Sequence, residues 1–181
     1  MTDAKNNLLM VTTAVVQAAM LFMPHDSGRV HLNGLSVRVS GGHVEVSASD
    51  GETLFRHDIP DYGGVADIDL IIPHFIVKAA LGRAKKNKEH FVALDVDERF
   101  FGEVGFRPIV AQYPMFDLVA MMAMGSDRHA NYNVDYLQRL QRACNLLGDG
   151  SPILPLLRYS VRCAMLELDG GSVAVIMALG T

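Results

Sequence analysis

Residues 30–60 spell three short strands joined by two glycine turns, and this stretch limits the possible folds more than any other. Apolar and polar residues alternate from residue 35 to residue 48, interrupted once by Gly41-Gly42. Period-two alternation on both sides of a glycine pair predicts a β-hairpin. Asp50-Gly51 then predicts a second reversal, into a third strand over 53–59. Such a meander buries one face and exposes the other, and neither face carries a catalytic side chain.

The length and composition predict an ordinary globular protein of one or two domains: the chain has 181 residues, of which 50% are hydrophobic and 20% charged. The net charge of −4 argues against a surface that is basic throughout, although it leaves a local basic face open. Two cysteines, Cys144 and Cys163, are too few for a disulfide framework, so the sequence predicts a cytoplasmic protein.

An uncharged run of sixteen residues covers 8–23. It is shorter than the roughly 18–20 residues that indicate a membrane span, and the leader MTDAKNN lacks the basic region of a signal peptide. We therefore expect no membrane association. The run predicts a buried core helix over about Thr12 to Phe22, ended by Pro24.

A helix followed by short alternating strands recurs three times, in units that begin near residues 8, 66 and 125. The spacing between successive units is about 60 residues. This repetition predicts an α+β fold with helices on one side of antiparallel sheets. We expect one domain over 1–120, made of two half-domains at about 8–65 and 66–120, and a third half-domain over 121–181.

The later elements follow from the same patterns. Pro73 starts a helix that runs to about Lys86, and Asn133 is a plausible N-cap for a helix over 134–147. The predicted strands of these units are 68–72, 90–97, 100–109, 112–119, 154–161, 163–169 and 172–179, and a turn is predicted at 148–152.

The sequence contains no recognisable catalytic constellation. Seven histidines are scattered without metal-ligand spacing. The acidic pairs Asp67/Asp69 and Asp95/Asp97 flank strands and are typical of a solvated face. Neither a nucleophile elbow nor a phosphate-binding loop is present. We therefore expect a protein that is not an enzyme and that needs no metal and no cofactor.

The second helix is amphipathic. Lys78 and Lys85 lie seven residues apart on its predicted exposed side, and Arg83 and Lys86 stand at its far end. Its predicted buried face consists of Ile76, Val77, Ala80, Leu81 and Ala84.

The third helix places Arg139 and Arg142 opposite an apolar stripe, whereas the polar side of the first helix has no cation. The predicted stripe consists of Leu137, Leu140, Cys144 and Leu147. Cations on a wet helix face keep a domain soluble, but several such helices aligned on one surface would form a track for phosphates. Both interpretations stay open at this point.

Four motifs carry a resemblance to a known family: HLNGL, VEVSASDGETL, LIIPHFIVKAAL and AQYPMFDLV. In this order, over about residues 10–119, they resemble the middle domain of the bacterial replicative sliding clamp, the beta subunit of DNA polymerase III. The C-terminal stretch from NVDYLQRLQRACNLL to VAVIMALGT resembles the last half-domain of the same family. The resemblance implies a clamp-like fold whose helices line a basic hole and whose sheets form the outer wall.

The resemblance implies a processivity factor that tethers a DNA polymerase to double-stranded DNA without reading its sequence, and that acts as a homo-oligomer. Phosphate contacts of this kind position a protein without base information. The implied DNA-facing cations are Lys78, Lys85, Arg139 and Arg142, with Arg83 and Lys86 beside them.

The family also binds polymerase and other partner peptides in a hydrophobic cleft. Carried over residue by residue, that cleft consists of Leu32, Ser49, Gly51, Leu54, Met177, Ala178 and Leu179. A small apolar pocket suits a leucine or phenylalanine anchor of a peptide. For Leu32 and Leu54, plain core packing is an equal alternative.

This chain departs from the family at both parts of the cleft. Glu52-Thr53 replaces a His-Arg pair, and the C-terminus reads Ala-Leu-Gly-Thr where the family has Pro-Met-Arg-Leu. Three half-domains stand where the family has six, which leaves strand edges to be covered. The alternative is therefore a clamp-fold adaptor or decoy that binds polymerase peptides, or the host clamp, without encircling DNA.

Overall fold

The computed structural model describes residues 7–24, 26–59, 65–116, 131–148, 157–159 and 163–179. Three helices and eleven strands lie in these ranges. They are β1 (Leu8–Thr12), α1 (Thr13–Met20), β2 (Gly34–Ser40), β3 (His43–Ser49), β4 (Thr53–Ile59), β5 (Ile68–Pro73), α2 (His74–Asn87), β6 (Phe91–Asp95), β7 (Phe100–Phe101), β8 (Val104–Gly105), α3 (Val134–Leu147), β9 (Leu157–Tyr159), β10 (Cys163–Leu168) and β11 (Ser172–Met177).

The strands form two antiparallel sheets. One has seven strands in the order β5-β2-β3-β4-β11-β10-β9, and the other has four in the order β1-β6-β7-β8. In the larger sheet β4 pairs with β11, from Ser172 opposite His57 to Ile176 opposite Thr53. The sheet therefore runs without a break from the N-terminal meander into the C-terminal strands. The predicted α+β class, with helices and antiparallel sheets, is confirmed.

The meander predicted for residues 30–60 is confirmed in detail. β2 and β3 are joined by Gly41-Gly42, whose φ angles of +57° and +82° belong to the turn that favours two glycines. Gly51, with φ of +95°, lies in the second turn, between β3 and β4. The register keeps Val37 opposite Val46 on the buried face.

The helix predicted over about Thr12 to Phe22 is confirmed as α1, Thr13–Met20, whereas the first residues of the apolar run, Leu8–Thr12, form the strand β1, which was not predicted. β1 pairs with β6 along its whole length, with Leu9 opposite Leu94. The Thr12 side chain accepts a hydrogen bond from the amide of Val15 at 3.3 Å and so starts α1. Tertiary strand pairing outweighs the helical propensity of the first residues in the run.

Two other strand predictions are wrong. The segment 100–109 forms two short strands that reverse at Gly102, whose φ is +58°. Residues 112–116 are not a strand, and Tyr113 from this segment is buried instead. The rest of the predicted strand 112–119 and most of the turn predicted at 148–152 lie outside the described residues.

The predicted boundaries of α2 and α3 are close to those observed, and all five predicted core residues of α2 are buried. Asn133 caps α3 by accepting a hydrogen bond from the amide of Asp135 at 2.9 Å. Leu137, however, is 40% exposed, so its place in the buried stripe is corrected. The buried face of α3 is centred on Leu140, Ala143 and Cys144, and the helix contacts the β3–β4 turn through Tyr136 and Arg139.

The three helices pack side by side on one face of the sheets, with α1 between α2 and α3. One hydrophobic cluster takes residues from all three helices and from both sheets, and the rings of Phe22 and Phe55 stack in it at 5.7 Å. The opposite face of the larger sheet carries ion pairs such as Arg38–Asp69 at 3.1 Å, and also two small apolar clusters, one around Leu54 and Val175 and one around Ile71. None of the helices in the described part of the chain has the length and apolar character that a membrane crossing requires.

Candidate partner-binding cleft and helix surface

A small apolar pocket lies where the β3–β4 turn meets β11. Its cavity volume is about 20 Å³, which is room for about one water molecule. The pocket is lined by Ser49, Gly51, Glu52, Thr53, Leu54, Phe116, Val175 and Met177. The structure thus brings four of the seven predicted cleft residues into one wall: Ser49, Gly51, Leu54 and Met177.

The floor of the pocket is set by the pairing of β4 with β11. Leu54 lies opposite Val175 in the ladder, and both are almost fully buried. They belong to a small cluster with Cys163 and Met165, on which Phe116 and Met177 pack partly exposed. The amide of Met177 donates to the carbonyl oxygen of Glu52 at 2.8 Å, which fixes the end of β11 against the turn.

Leu32 lies beside the pocket in a second cluster, with Ile71 and Tyr113. A Cβ placed on Gly51 would be 3.5 Å from the Cδ1 of Leu32, so this leucine supports the turn from within. Phe116 contacts both clusters, and its ring meets that of Tyr113 edge to face at 6.3 Å. Leu32 is 2% exposed and packs as core.

Ala178 and Leu179 follow β11 and are not among the described residues that form the pocket wall. Leu179 is 47% exposed, and its amide donates to the carbonyl oxygen of Asn131 at 2.8 Å. The end of the chain that the structure describes is therefore held beside α3 rather than over the pocket.

The β3–β4 turn is shaped by Asp50. Its Oδ1 accepts hydrogen bonds from the amides of Glu52 at 3.0 Å and Thr53 at 2.7 Å, and from the Thr53 hydroxyl at 2.9 Å. The buried Ser49 hydroxyl donates to the carbonyl oxygen of Thr53 at 2.7 Å and accepts from the amide of Gly51 at 3.0 Å. These bonds satisfy the polar groups of the turn, so the wall keeps one shape.

Two side chains of α3 reach this turn. Nη1 of Arg139 donates to Oδ2 of Asp50 and, at 3.1 Å, to the hydroxyl of Thr53. The Arg139 guanidinium also lies 5.3 Å from the centre of the Tyr136 ring, and the Tyr136 hydroxyl donates to Oε2 of Glu52. Partial burial acts to raise the pKa of Asp50, but the bonds from Arg139 and the turn amides outweigh it and lower that pKa below its ordinary value.

The predicted DNA-facing cations differ in their surroundings. Lys78, Lys85 and Lys86 are exposed on α2, and Arg142 is exposed on α3. Within the described residues, these four side chains form no ion pair, whereas Arg83 donates to the carbonyl oxygen of Glu103 at 3.0 Å. Arg139 is half-buried and paired with Asp50, and α1 contributes no cation to the helix layer.

Several residues of this region were not predicted from the sequence. Phe116 belongs to the Tyr-Pro-Met-Phe motif that carried the resemblance, so the motif itself was the available signal. Val175 could have been found from the alternation of the C-terminal strand. Arg29 lies at the rim of the turn, where its Nη1 would be 2.2 Å from a Cβ on Gly51. No sequence pattern indicated that it lies there.

A larger cavity of about 370 Å³ opens beside the start of α1, between His57 and His90. Nδ1 of His57 and Oγ of Ser172 are 2.8 Å apart, and the hydroxyl of Thr13 donates to the carbonyl oxygen of His90 at 3.2 Å. These polar groups already have protein partners, so we assign the cavity no ligand. Among the described residues, no group of three His, Cys, Asp or Glu side chains is placed to hold a metal ion.

No protein-family profile matches the sequence, and no curated protein sequence matches it. The fold, however, is that of solved bacterial sliding clamps. The DNA polymerase III beta subunit of Pseudomonas aeruginosa is similar with a TM-score of 0.68 at 13% identity, over 96% of this chain and 66% of its own length. The beta subunit of Thermotoga maritima is similar with a TM-score of 0.67 at 13% identity, over 96% of this chain and 65% of its own length.

The beta sliding clamp of C. crescentus is similar with a TM-score of 0.61 at 15% identity, over 100% of this chain and 68% of its own length. The chain therefore spans about two thirds of the length of the clamps that it matches, and the predicted clamp-like fold is confirmed.

Proposed function

Because the chain folds as the bacterial DNA sliding clamps do, we propose that it acts as a clamp-like processivity factor. In this role it holds a DNA polymerase on double-stranded DNA and binds partner peptides at the β4–β11 junction. The observation that carries the proposal is the apolar pocket formed where these two strands pair. The proposed role involves no catalysis and no cofactor.

The pocket fits the binding of a peptide through an apolar anchor. Its floor, Leu54 and Val175, is apolar, and the turn beside it has its polar groups satisfied within the protein. A leucine or phenylalanine side chain entering there would leave water without breaking a hydrogen bond of the wall. Because the cavity is small, entry of such an anchor would require the partly exposed side chains of Phe116 and Met177 to move aside.

The helix layer supplies the proposed contact with DNA. Lys78, Lys85 and Lys86 on α2 and Arg142 on α3 extend from the side of the helices that faces away from the core. A surface of this kind binds phosphates independently of base sequence, with an affinity that falls as salt rises. Arg83 lies beside them, and its guanidinium contacts the carbonyl oxygen and the carboxylate of Glu103.

Encirclement of DNA requires more than one copy of this chain. We therefore include in the proposal a cytoplasmic homo-oligomer, with a clamp-like domain over 1–120 and a clamp-like half-domain over 121–181. In the described part of the chain, β9 is one end strand of the larger sheet and β8 is one end strand of the smaller sheet. Strand edges at such positions pair between copies or need another cover.

A second candidate is a clamp-fold adaptor that binds partner peptides, or another clamp, without encircling DNA. Two observations favour it: α1 carries no cation, and the charge of Arg139 is matched by Asp50. The helix layer is therefore less basic than its sequence suggests.

The mass in solution separates these candidates. Light scattering behind size exclusion, across a range of concentrations, gives one discrete and persistent oligomer if the chain forms a ring. That oligomer should then stay on a nicked DNA circle at high salt and leave it once the circle is cut. A monomer at micromolar concentration that binds a peptide but is not retained on the circle contradicts the clamp and supports the adaptor.

A further inference from the structure

α3 and the β3–β4 turn are joined by two neighbouring polar contacts. Arg139 bonds to Asp50 and Thr53, and Tyr136 bonds to Glu52. Tyr136 and Arg139 are three residues apart on the same side of the helix, and the guanidinium packs over the ring. Bonds to three residues of one short turn form a fixed attachment rather than a chance surface pair.

The attached turn supplies most of the pocket wall. Of the eight lining residues, the five from Ser49 to Leu54 other than Asp50 belong to this segment. Asp50 does not line the pocket but organises it, because its Oδ1 holds the amides of Glu52 and Thr53. Arg139 binds the other oxygen of the same carboxylate, so it fixes the orientation of the group on which the wall depends.

The surroundings of Arg139 also argue against a free phosphate contact. The Arg139 side chain is about one third exposed, and the Asp50 side chain is less so. To bind a DNA phosphate, Arg139 would leave a half-buried carboxylate without its charge partner, which is unfavourable. Arg142 lies three residues further along the same helix, is exposed, and forms no ion pair among the described residues.

We propose that Arg139, together with Tyr136, is a positioning residue of the peptide cleft and not a contact to DNA. This inference rests on the proposed peptide-binding function of the pocket. α3 then divides its arginines between two tasks: Arg139 holds the β3–β4 turn, and Arg142 faces outward on the helix layer. The cleft is therefore supported by a residue of α3, Arg139, that is 89 positions away in sequence from Asp50, to which it bonds.

The test compares Arg139→Ala, Arg139→Lys and Arg142→Ala in the full chain. The peptide probe is a fluorescein-labelled octapeptide that ends in Leu-Phe, measured by fluorescence polarisation, and the DNA probe is a labelled 30-base-pair duplex. Arg139→Ala should weaken peptide binding about tenfold, the size expected when a charge-assisted hydrogen bond is removed, and leave DNA affinity within twofold. Arg142→Ala should weaken DNA binding and leave the peptide within twofold.

Arg139→Lys keeps the charge beside Asp50 but removes the fork to Thr53 and the packing on Tyr136, so it should recover part of the peptide affinity. This variant also keeps the test decisive if Arg139→Ala does not fold. Loss of DNA affinity in Arg139→Ala equal to that in Arg142→Ala, with peptide binding unchanged, overturns the inference.

A second readout separates this inference from the proposed function. If the wild-type chain does not bind the peptide at all, the peptide-binding function fails, but the attachment of the turn is still measurable by amide hydrogen exchange. Arg139→Ala should then speed exchange at Glu52 and Thr53 at least about tenfold relative to Arg142→Ala. Equal exchange in the two variants overturns the positioning role, whatever the peptide does.

Discussion

Leu54 on β4 lies directly opposite Val175 on β11, and this pair forms the floor of the pocket. The two residues are 121 positions apart in the sequence. The pocket therefore exists only where the N-terminal meander and the C-terminal hairpin pair into one sheet, and its integrity depends on that junction.

A charge at Met177 should abolish peptide binding. Met177→Glu places a carboxylate against the apolar cluster of Leu54 and Val175, and we expect the affinity for the Leu-Phe octapeptide to fall by more than ~10-fold. Fluorescence polarisation measures it. The matched variant Leu179→Glu changes an exposed residue outside the described pocket wall and should bind normally. Loss of binding in Leu179→Glu, with binding kept in Met177→Glu, would show that the peptide binds at Ala178 and Leu179, which the sequence placed in the cleft.

Replacing Asp50 should make the free energy of unfolding less dependent on pH in the acid range. The folded pKa of Asp50 lies below its ordinary value of 3.8, so its ionised form stabilises the fold above that pH and the gain is lost as pH falls through the folded pKa. Asp50→Asn should lower the free energy of unfolding by about 1–3 kcal/mol at pH 7 and by much less near the acid limit of folding. Urea titrations at both pH values measure the difference.

The control for Asp50 is an exposed carboxylate that also bonds to an arginine. Asp69→Asn removes the partner of Arg38, and because Asp69 is half exposed the change should stay within about 0.5 kcal/mol at either pH. A loss in Asp50→Asn that persists unchanged into acid contradicts the assigned role of the carboxylate.

Alanine at Gly51 should destabilise the turn. The φ of +95° is unfavourable for a residue with a side chain, and the new Cβ would meet the guanidinium of Arg29 at 2.2 Å. We expect Gly51→Ala to cost about 1–3 kcal/mol in urea unfolding. Gly28→Ala is the matched control, since nothing lies within 4 Å of its Cβ position; equal stability of the two variants would show that the turn tolerates a side chain.

Removing exposed cations from the helix layer should reduce the salt dependence of DNA binding. For Lys78→Ala, Lys85→Ala and Arg142→Ala combined, the slope of log affinity against log salt should become shallower by about 0.9 for each phosphate that the protein no longer neutralises. Arg38→Ala removes a cation from the opposite sheet face and should leave the slope unchanged. An unchanged slope in the triple variant, measured by titration of the 30-base-pair duplex, excludes these residues as the DNA surface.

Much of the fold could be predicted because its signals are local. The glycine turns at Gly41-Gly42 and Asp50-Gly51 determined the meander, and the spacing of apolar residues identified the buried face of α2. The strand at the start of the run 8–23 was missed because a strand and a helix that are both buried have the same apolar composition. Only the pairing of β1 with β6, which lies about eighty residues further along the chain, decides between them.

The candidate site was predicted in part for the same reason. Ser49, Gly51 and Leu54 lie in one recognisable motif, whereas the contribution of Phe116 depends on how its loop folds back onto β4 and β11. Periodicity placed Arg139 on the polar side of α3, but no local pattern reveals that Asp50 lies across from it. Long-range charge pairs of this kind are set by tertiary packing.

The most direct test of the pocket is methyl NMR of the full chain during titration with the Leu-Phe octapeptide. We expect saturable shifts of the methyl signals of Leu54, Val175 and Met177, because these residues line the pocket, while Val39 and Val44 at the far end of the sheet stay unchanged. Shifts confined to other residues, or none at a peptide concentration of about 1 mM, where even a weak complex forms, would contradict peptide binding at the β4–β11 junction.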